Sequence, residues 1–291
     1  MSNIKIRKPV TGDLPALRDI WRIIFGSLGE EAFFLHFFEP GLCVIVEADN
    51  KPAAAGYLVP FGDVVSFSDT IPCAMIYSIA TLPEFRGLGF GRVVVSRLIT
   101  LAYELGYPAV VLCPVEDELF EYYSTRSNLI DRFYVREYIF KSGYENNTCI
   151  APVCISIDEY ITKREELLKD IVHIRHDFKT LEYQVMLCNE SGGGLFRIGD
   201  FYAVVERQTD KQVWIKELLV PGLTAGDKMF DNIAAGAVAS LSGMFPADEY
   251  TVRFPTKTGQ GRRFGMIAFS DDKNDIIRSH DFSPWYGMAF D

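Results

Sequence analysis

One stretch constrains this chain more than any other: Ile79-Ala80-Thr81-Leu82-Pro83-Glu84-Phe85-Arg86-Gly87-Leu88-Gly89-Phe90-Gly91-Arg92. An apolar strand, Ala74 to Leu82, runs into a turn with three alternating glycines. The turn opens a segment, Arg92 to Leu105, whose apolar residues repeat at helical spacing until Gly106 closes it. A helix N-terminus presents unbonded N–H groups and a partial positive charge, which together favour a diphosphate. Glycines let the backbone approach phosphate oxygens and take positive φ, and Arg86 adds a charge-assisted donor. Two nucleotide readings fail on spacing. No Gly-Lys-Ser/Thr follows, as a Walker loop requires. The G-x-G-x-x-G of a dinucleotide loop would put its last glycine on Arg92 or Val94, and the next strand, Ala109 to Cys113, ends in Pro114 with no acidic ribose ligand. What fits is Arg/Gln-x-x-Gly-x-Gly/Ala.

The surrounding pattern gives the order β-α-α-β-β-β-α-β-α-β. Asn3 to Lys8 alternates like an edge strand. Asp13 precedes a helix with Leu14, Leu17, Trp21, Ile24 and Phe25 on one face, broken by Gly26 and Gly29. Glu30 to Glu39 is a second, Phe-rich helix ended by Pro40. Leu42 to Ala48 and Ala53 to Pro60 form a hairpin turned by Asp49-Asn50-Lys51. Beyond Ala109–Cys113 come a short helix, Glu118 to Thr125, and an aromatic strand, Asp131 to Phe140. The fold class is α/β (α+β): an antiparallel hairpin sheet that turns parallel around one crossover helix.

The polar stretch Gly143 to Pro152 reads as a linker between two domains, 1–145 and 155–291. After it, Ser156 and Glu159 form a capping box before a helix through Lys169. Strands at Leu195–Ile198, Tyr202–Glu206 and Val213–Val220, a helix at Asp231–Met244 and a strand at Tyr250–Phe254 repeat the first half, with Ser78–Cys113 set beside Lys216–Phe254. Gly265 to Ser270 and Trp285 to Phe290 are read as completing the second sheet. The second loop, Pro221-Gly222-Leu223-Thr224-Ala225-Gly226, lacks the arginine and the close glycines, so the second copy is expected to keep the fold without the phosphate cradle.

The glycine loop, preceded by Pro83-Glu84-Phe85-Arg86-Gly87, resembles that of the GCN5-related N-acetyltransferases (GNAT). The likeness covers Asn3 to Phe140 in element order and resumes sharply at Leu119-Phe120-Glu121-Tyr122-Tyr123-Ser124. It implies acetyl-CoA as co-substrate, an amine acceptor and no metal. The diphosphate would lie on Arg86, Gly87, Leu88, Gly89, Phe90, Gly91 and Arg92. The pantetheine arm would lie along Ser78, Ile79, Ala80 and Thr81, where two splayed strands admit the thioester. Tyr123 stands where the family often has the acid that protonates the departing thiolate, and Tyr122 is the neighbouring alternative. Ser127-Asn128-Leu129 replaces a usual Gly-Phe pair. The tandem layout is similar to the acetyltransferase part of Eis-like proteins, whose chain terminus reaches the active site. The apolar ending Pro284 to Asp291 points to an anchored end, with the Asp291 carboxylates as base or amine anchor. The alternative reading is a non-catalytic acyl-CoA sensor or assembly module that uses the same loop.

Composition narrows the rest. A net charge of −10 with no Lys/Arg run argues against nucleic acid. Cys43, Cys73, Cys113, Cys149, Cys154 and Cys188 show no C-x-x-C pairing and read as buried free thiols of a reducing, cytoplasmic compartment. No apolar run approaches the ~20 residues of a membrane span, and no secretory pattern opens the chain. Glu116, Asp117 and Glu118 read as solvated helix-cap residues, and His36, among phenylalanines, as structural. Acceptor determinants are expected in the Phe-rich helix, the Pro60–Thr70 loop and the C-terminal strand.

Overall fold

The structure is a computed structural model that describes residues 3–67, 69–142, 149–222, 227–255, 261–270 and 284–290. The chain forms two compact units. The first takes in Met1–Val64, Thr70–Asp131 and Gly265–Ile276, and the second Val65–Asp69, Arg132–Phe264 and Ile277–Asp291.

The elements of the first half are β1 (Ile4–Arg7), α1 (Leu14–Phe25), α2 (Glu30–His36), β2 (Cys43–Ala48), β3 (Lys51–Val65), β4 (Thr70–Thr81), α3 (Phe90–Glu104), β5 (Ala109–Leu112), α4 (Asp117–Ser127) and β6 (Ile130–Lys141). Those of the second half are β7 (Val153–Cys154), α5 (Ile157–Leu168), β8 (His173–Arg175), α6 (Phe178–Glu190), β9 (Gly194–Ile198), β10 (Phe201–Thr209), β11 (Gln212–Leu219), α7 (Asp227–Ser242), β12 (Glu249–Phe254) and β13 (Arg262–Phe269).

In the first unit the sheet order is β1-β2-β3-β4-β5-β13. The β2–β3 hairpin turns on Asp49 and Asn50, both at positive φ, the backbone that tight two-residue hairpins need. The strand β4 runs parallel to β5 around α3. Helix α3 buries Phe90, Val94, Val95, Leu98, Leu101 and Ala102. It packs so close to β3 that a Cβ on Gly56 would meet Val94 Cγ1 at 2.6 Å. The core closes with Phe120, Tyr123 and Leu129 from the α4 region and with Met266 and Ala268 from β13.

The second unit repeats this plan as β7-β9-β10-β11-β12-β6. Here β11 runs parallel to β12 around α7, as β4 does to β5 around α3. Met75 pairs with Val111, three residues before Pro114, and Ile215 pairs with Val252, three residues before Pro255. The two strand pairs therefore set Ile76 beside Lys216 and Tyr77 beside Glu217. This corrects the pattern match that put Ser78 beside Lys216, because matching element ends leaves the hydrogen-bond register undetermined.

Three further expectations are corrected. The loop expected at 60–70 is mostly strand: β3 continues to Val65 and β4 starts at Thr70. The segment β13 belongs to the first unit, where Met266–Phe269 pair antiparallel with Leu112–Ala109, while β6 pairs with β12. Trp285 to Phe290 is not a strand beyond one bridge, His173↔Trp285. Its residues are nevertheless buried, Trp285 and Tyr286 completely. Gly287 and Phe290 at positive φ interrupt any extended run. The second glycine loop and most of the linker fall, at residues 223–226 and 143–148, outside the described residues.

Candidate active site

The site is built on the end of β4. The parallel register with β5 holds from Cys73↔Ala109 to Met75↔Val111, and β4 then continues past that pairing to Thr81, with β3 on its other side. Ser78 sits at φ +49 inside the strand, a left-handed conformation that turns the backbone locally. Leu82 N–H donates to the Ala53 carbonyl at 3.0 Å and ties the strand end to β3. A cavity of about 340 Å³ opens there, lined on this side by Ile79 and Thr81. Ser78 and Ala80 do not line it, as alternation along a strand demands.

The loop follows. Phe85 stacks on Phe90 with ring centroids 6.1 Å apart and braces its two ends. Gly87 and Gly89 lie at φ +81 and +79, where an L-residue is strained. Gly89 caps α3 without a side-chain hydrogen bond, and the first helical bond is Val93 N–H to the Gly89 carbonyl. The N–H groups of Phe90, Gly91 and Arg92 therefore lack helical acceptors. Arg86 donates from Nε to the Thr81 carbonyl at 3.4 Å, which holds its guanidinium at the cavity mouth. Gly87, Gly89, Phe90 and Gly91 line the cavity with it. Leu88 and Arg92 line a neighbouring cavity, which also includes Gly89.

The opposite wall is α4, which contributes Leu119, Tyr122, Tyr123 and Arg126. A Cβ on Gly91 would stand 3.8 Å from Thr81 Oγ1 and 3.9 Å from the Tyr122 hydroxyl. Tyr122 thus sits over the start of α3, with the Arg126 guanidinium 5.0 Å from its ring centroid. Tyr123 is 7 % exposed. Burial first, and then Tyr122 beside it, push the Tyr123 phenol above its ordinary pKa. Asn128 ends the helix at φ +54, and Leu129 is fully buried. Asn tolerates the left-handed C-cap that glycine usually fills, so Asn128-Leu129 serves in place of Gly-Phe.

Other candidates sort by exposure. Glu116, Asp117 and Glu118 are exposed at the start of α4, where negative charge suits the helix dipole. Phe33, Phe34 and Phe37 are buried. Trp21 stacks on Phe33 at 4.9 Å, and Tyr57 meets Phe33 edge-on at 4.8 Å, so the Phe-rich helix is largely core. His36 packs edge-on against Phe37 at 4.9 Å. That helix stops at His36 rather than Glu39, because the residue before Pro40 is turned away from helical backbone. Cys149 and Cys154 are exposed, correcting the buried reading, whereas Cys43, Cys73 and Cys188 are buried. Among the described residues there is no cluster of metal-ligating side chains and no helix long and apolar enough to cross a membrane. Asp291 lies outside the described residues; the segment leading to it ends with Phe290 edge-on to Tyr183 at 4.8 Å.

Sequence reasoning did not single out Arg126. Its signal was its place one helical turn beyond Tyr122, at the i+4 spacing that puts both on one face.

A mixed sheet that turns parallel around one crossover helix, with a glycine cradle opening that helix, defines the GNAT fold, and the two units make a tandem of it. Residues 14–123 match the model of the family described as Acetyltransferase (GNAT) family; the chain thus carries a GNAT domain in a tandem GNAT-like arrangement. Solved structures agree on the fold. A GCN5-related N-acetyltransferase from Anabaena variabilis superposes with a TM-score of 0.65 at 14 % identity, covering 92 % of this chain and 73 % of that one. A tandem GNAT protein from the clavulanic acid biosynthesis pathway gives 0.56 at 11 %, covering 92 % and 98 %. Eis1 from Mycobacterium abscessus gives 0.53 at 11 %, covering 90 % and 66 %. No curated protein matches the sequence.

Proposed function

We propose that the protein is an acetyl-CoA-dependent N-acetyltransferase that acts on a primary amine by direct attack. The observation that carries this reading is the convergence, on one cavity, of the open α3 N-terminus, the end of β4 beyond its register with β5 and the two α4 tyrosines. The diphosphate takes the free N–H groups of Phe90, Gly91 and Arg92, with Arg86 at the mouth. The pantetheine arm pairs with the backbone of β4 from Ser78 to Thr81, where β5 has parted from it.

The chemistry needs few groups. Bound acetyl-CoA supplies an activated acyl carbon. The amine nitrogen attacks it, forming a C–N bond and a tetrahedral oxyanion, and the C–S bond then breaks. The leaving thiolate takes a proton from Tyr123, and the amine loses one to a base. The Tyr122 hydroxyl lies over the helix N-terminus, at the diphosphate end of the site. We assign Tyr123 as the acid: burial keeps its phenol protonated and able to donate, with a smaller driving force for transfer to the thiolate than an ordinary phenol would have. Asp291 is assigned as base or amine anchor on the resemblance to Eis-like proteins alone.

Release of free coenzyme A from acetyl-CoA, measured against a panel of primary amines, tests the reading. Amine-dependent release supports it. Tight acetyl-CoA binding with no release for any amine would instead make the chain an acyl-CoA sensor.

A further inference from the structure

The last turn of α1 and the turn into α2 read Ile23-Ile24-Phe25-Gly26-Ser27-Leu28-Gly29, seven residues without a charge in a chain of which 23 % is charged. Surface turns are ordinarily polar. Here Ile23, Phe25 and Leu28 are 59, 44 and 60 % exposed. Single apolar side chains on a surface need no explanation, whereas a group of them marks a binding surface. The turn is also held in this state. Glu30, the buried first residue of α2, accepts from Arg18 at 2.8 Å and from Arg22 at 2.6 and 2.9 Å. That carboxylate ties the start of α2 back to α1. Gly26 and Gly29, at φ +82 and +70, set the path between. The turn therefore shows its apolar side chains to solvent instead of folding them inward.

Its position says what it serves. Ile24, inside the uncharged run, lines the cavity of the proposed active site, so the exposed apolar residues on either side of it in the chain continue that wall outward. The charged residues that line the cavity are Arg86 and Arg126, and no carboxylate lines it with them. An acceptor with ammonium groups beyond the one that reacts finds no counter-charge among these residues. An apolar body needs none and gains by leaving water. The Phe-rich helix α2 is largely core, as its packing on Trp21 and Tyr57 shows, and the turn before it carries the accessible apolar surface.

We propose that the acceptor is a primary amine on an apolar body with no second cation, and that Ile23, Phe25 and Leu28 seat that body. The inference rests on the acetyl-transfer reading above and names its substrate class.

Steady-state release of coenzyme A from acetyl-CoA by the full chain tests it, with methylamine, propylamine, pentylamine and heptylamine as acceptors. A further acceptor, 1,6-diaminohexane, is the length of heptylamine but ends in a second ammonium. The value of kcat/KM should climb along the alkyl series by up to about fourfold for each methylene seated. Heptylamine should exceed the diamine at least about tenfold, because the second ammonium would have to leave water without a partner. Phe25→Ser and Leu28→Ser, both at exposed positions, should flatten the climb while coenzyme A affinity, read by calorimetry, is kept. A flat series in the wild type, or equal use of heptylamine and the diamine, would overturn the proposal and leave acetyl transfer standing. An unchanged climb in both serine variants would overturn it too, and a change in their oligomeric mass would then make the turn a contact between copies. No release with any amine would remove the acetyl-transfer reading, and this inference with it.

Discussion

Arg164 donates from Nε to Glu217 Oε2 at 2.9 Å, with both side chains sealed from solvent. Tyr160 and the Trp285 indole also donate to that carboxylate, and Arg164 reaches the Ile174 carbonyl at 2.8 Å. The equivalent places in the first unit, the eighth residue of the first helix and the strand position that matches Glu217, hold Trp21 and Tyr77, whose rings lie 5.9 Å apart. One fold thus fills the same space with aromatic packing in one unit and a buried ion pair in the other. The pair also receives the C-terminal segment. A Cβ on Gly287 would stand 2.5 Å from Arg164 Nη2 and 3.2 Å from Glu217 Oε1, so only glycine fits there.

Breaking that pair is expected to be costly. Glu217→Gln should destabilise the chain by about 3–5 kcal/mol, the usual penalty for leaving a buried charge without its partner. Arg164→Met with Glu217→Leu should recover only part of the loss, because the Tyr160 hydroxyl and the Trp285 indole then lose their acceptor. Urea denaturation of the three proteins measures it; equal stability of Glu217→Gln and wild type would show that the network contributes little.

Tyr123→Phe should lower kcat at least about a hundredfold, within the range of general-acid catalysis, and leave coenzyme A affinity nearly unchanged. Tyr122→Phe should do the reverse, weakening the cofactor with a smaller effect on kcat. Turnover and calorimetry on both variants decide between the two hydroxyls. A matching kcat loss in Tyr122→Phe with none in Tyr123→Phe would exchange their roles.

The pH profile follows from burial. The Tyr123 phenol is held above its ordinary pKa by desolvation and by Tyr122, so the neutral, proton-donating form persists as pH rises through about 10, where a free phenol ionises. Acid catalysis by Tyr123 should show no falling limb below that pH. A limb centred near 10 in the wild type, absent from Tyr123→Phe, would mean that burial does not hold the proton.

Gly91→Ala separates binding from folding. The new methyl would meet Thr81 and Tyr122 only at ordinary contact distance, and alanine in a helix gains up to about 1 kcal/mol over glycine. The melting temperature should hold or rise while coenzyme A affinity falls, because the methyl stands where the diphosphate approaches. Unchanged affinity by calorimetry would place the diphosphate elsewhere.

Removal of Asp291 alone should leave thermal stability intact, since the buried Trp285 to Phe290 stays in place. As the base or amine anchor, its loss should reduce kcat/KM about tenfold or more, as loss of a general base does. Full activity in the shortened chain would end that assignment.

By itself the sequence determined whatever is local. The positive-φ glycines at 87 and 89, the uncapped start of α3, the Asp49-Asn50 turn and the apolar stripes of α1 and α3 each depend on a few neighbouring residues, and all were legible. Helix α6 was not, although Asp177 caps it by accepting from Thr180 N–H at 2.7 Å. Its buried face carries Thr180 and Gln184, and the Gln184 amide donates to Glu206 at 3.1 Å, so the apolar period is broken by a polar residue whose acceptor lies on a distant strand. The short strands β7 and β8 are too brief to show a period at all. Only the tertiary structure decided that β13 joins β5 and β6 joins β12, since strand partners are chosen by long-range register and by burial of both faces. It also decided that Tyr122, rather than Tyr123, overlies the start of α3. Adjacent residues on a helix point about 100° apart, and which of the two directions meets the glycine loop is set by how α4 docks, which no local pattern records.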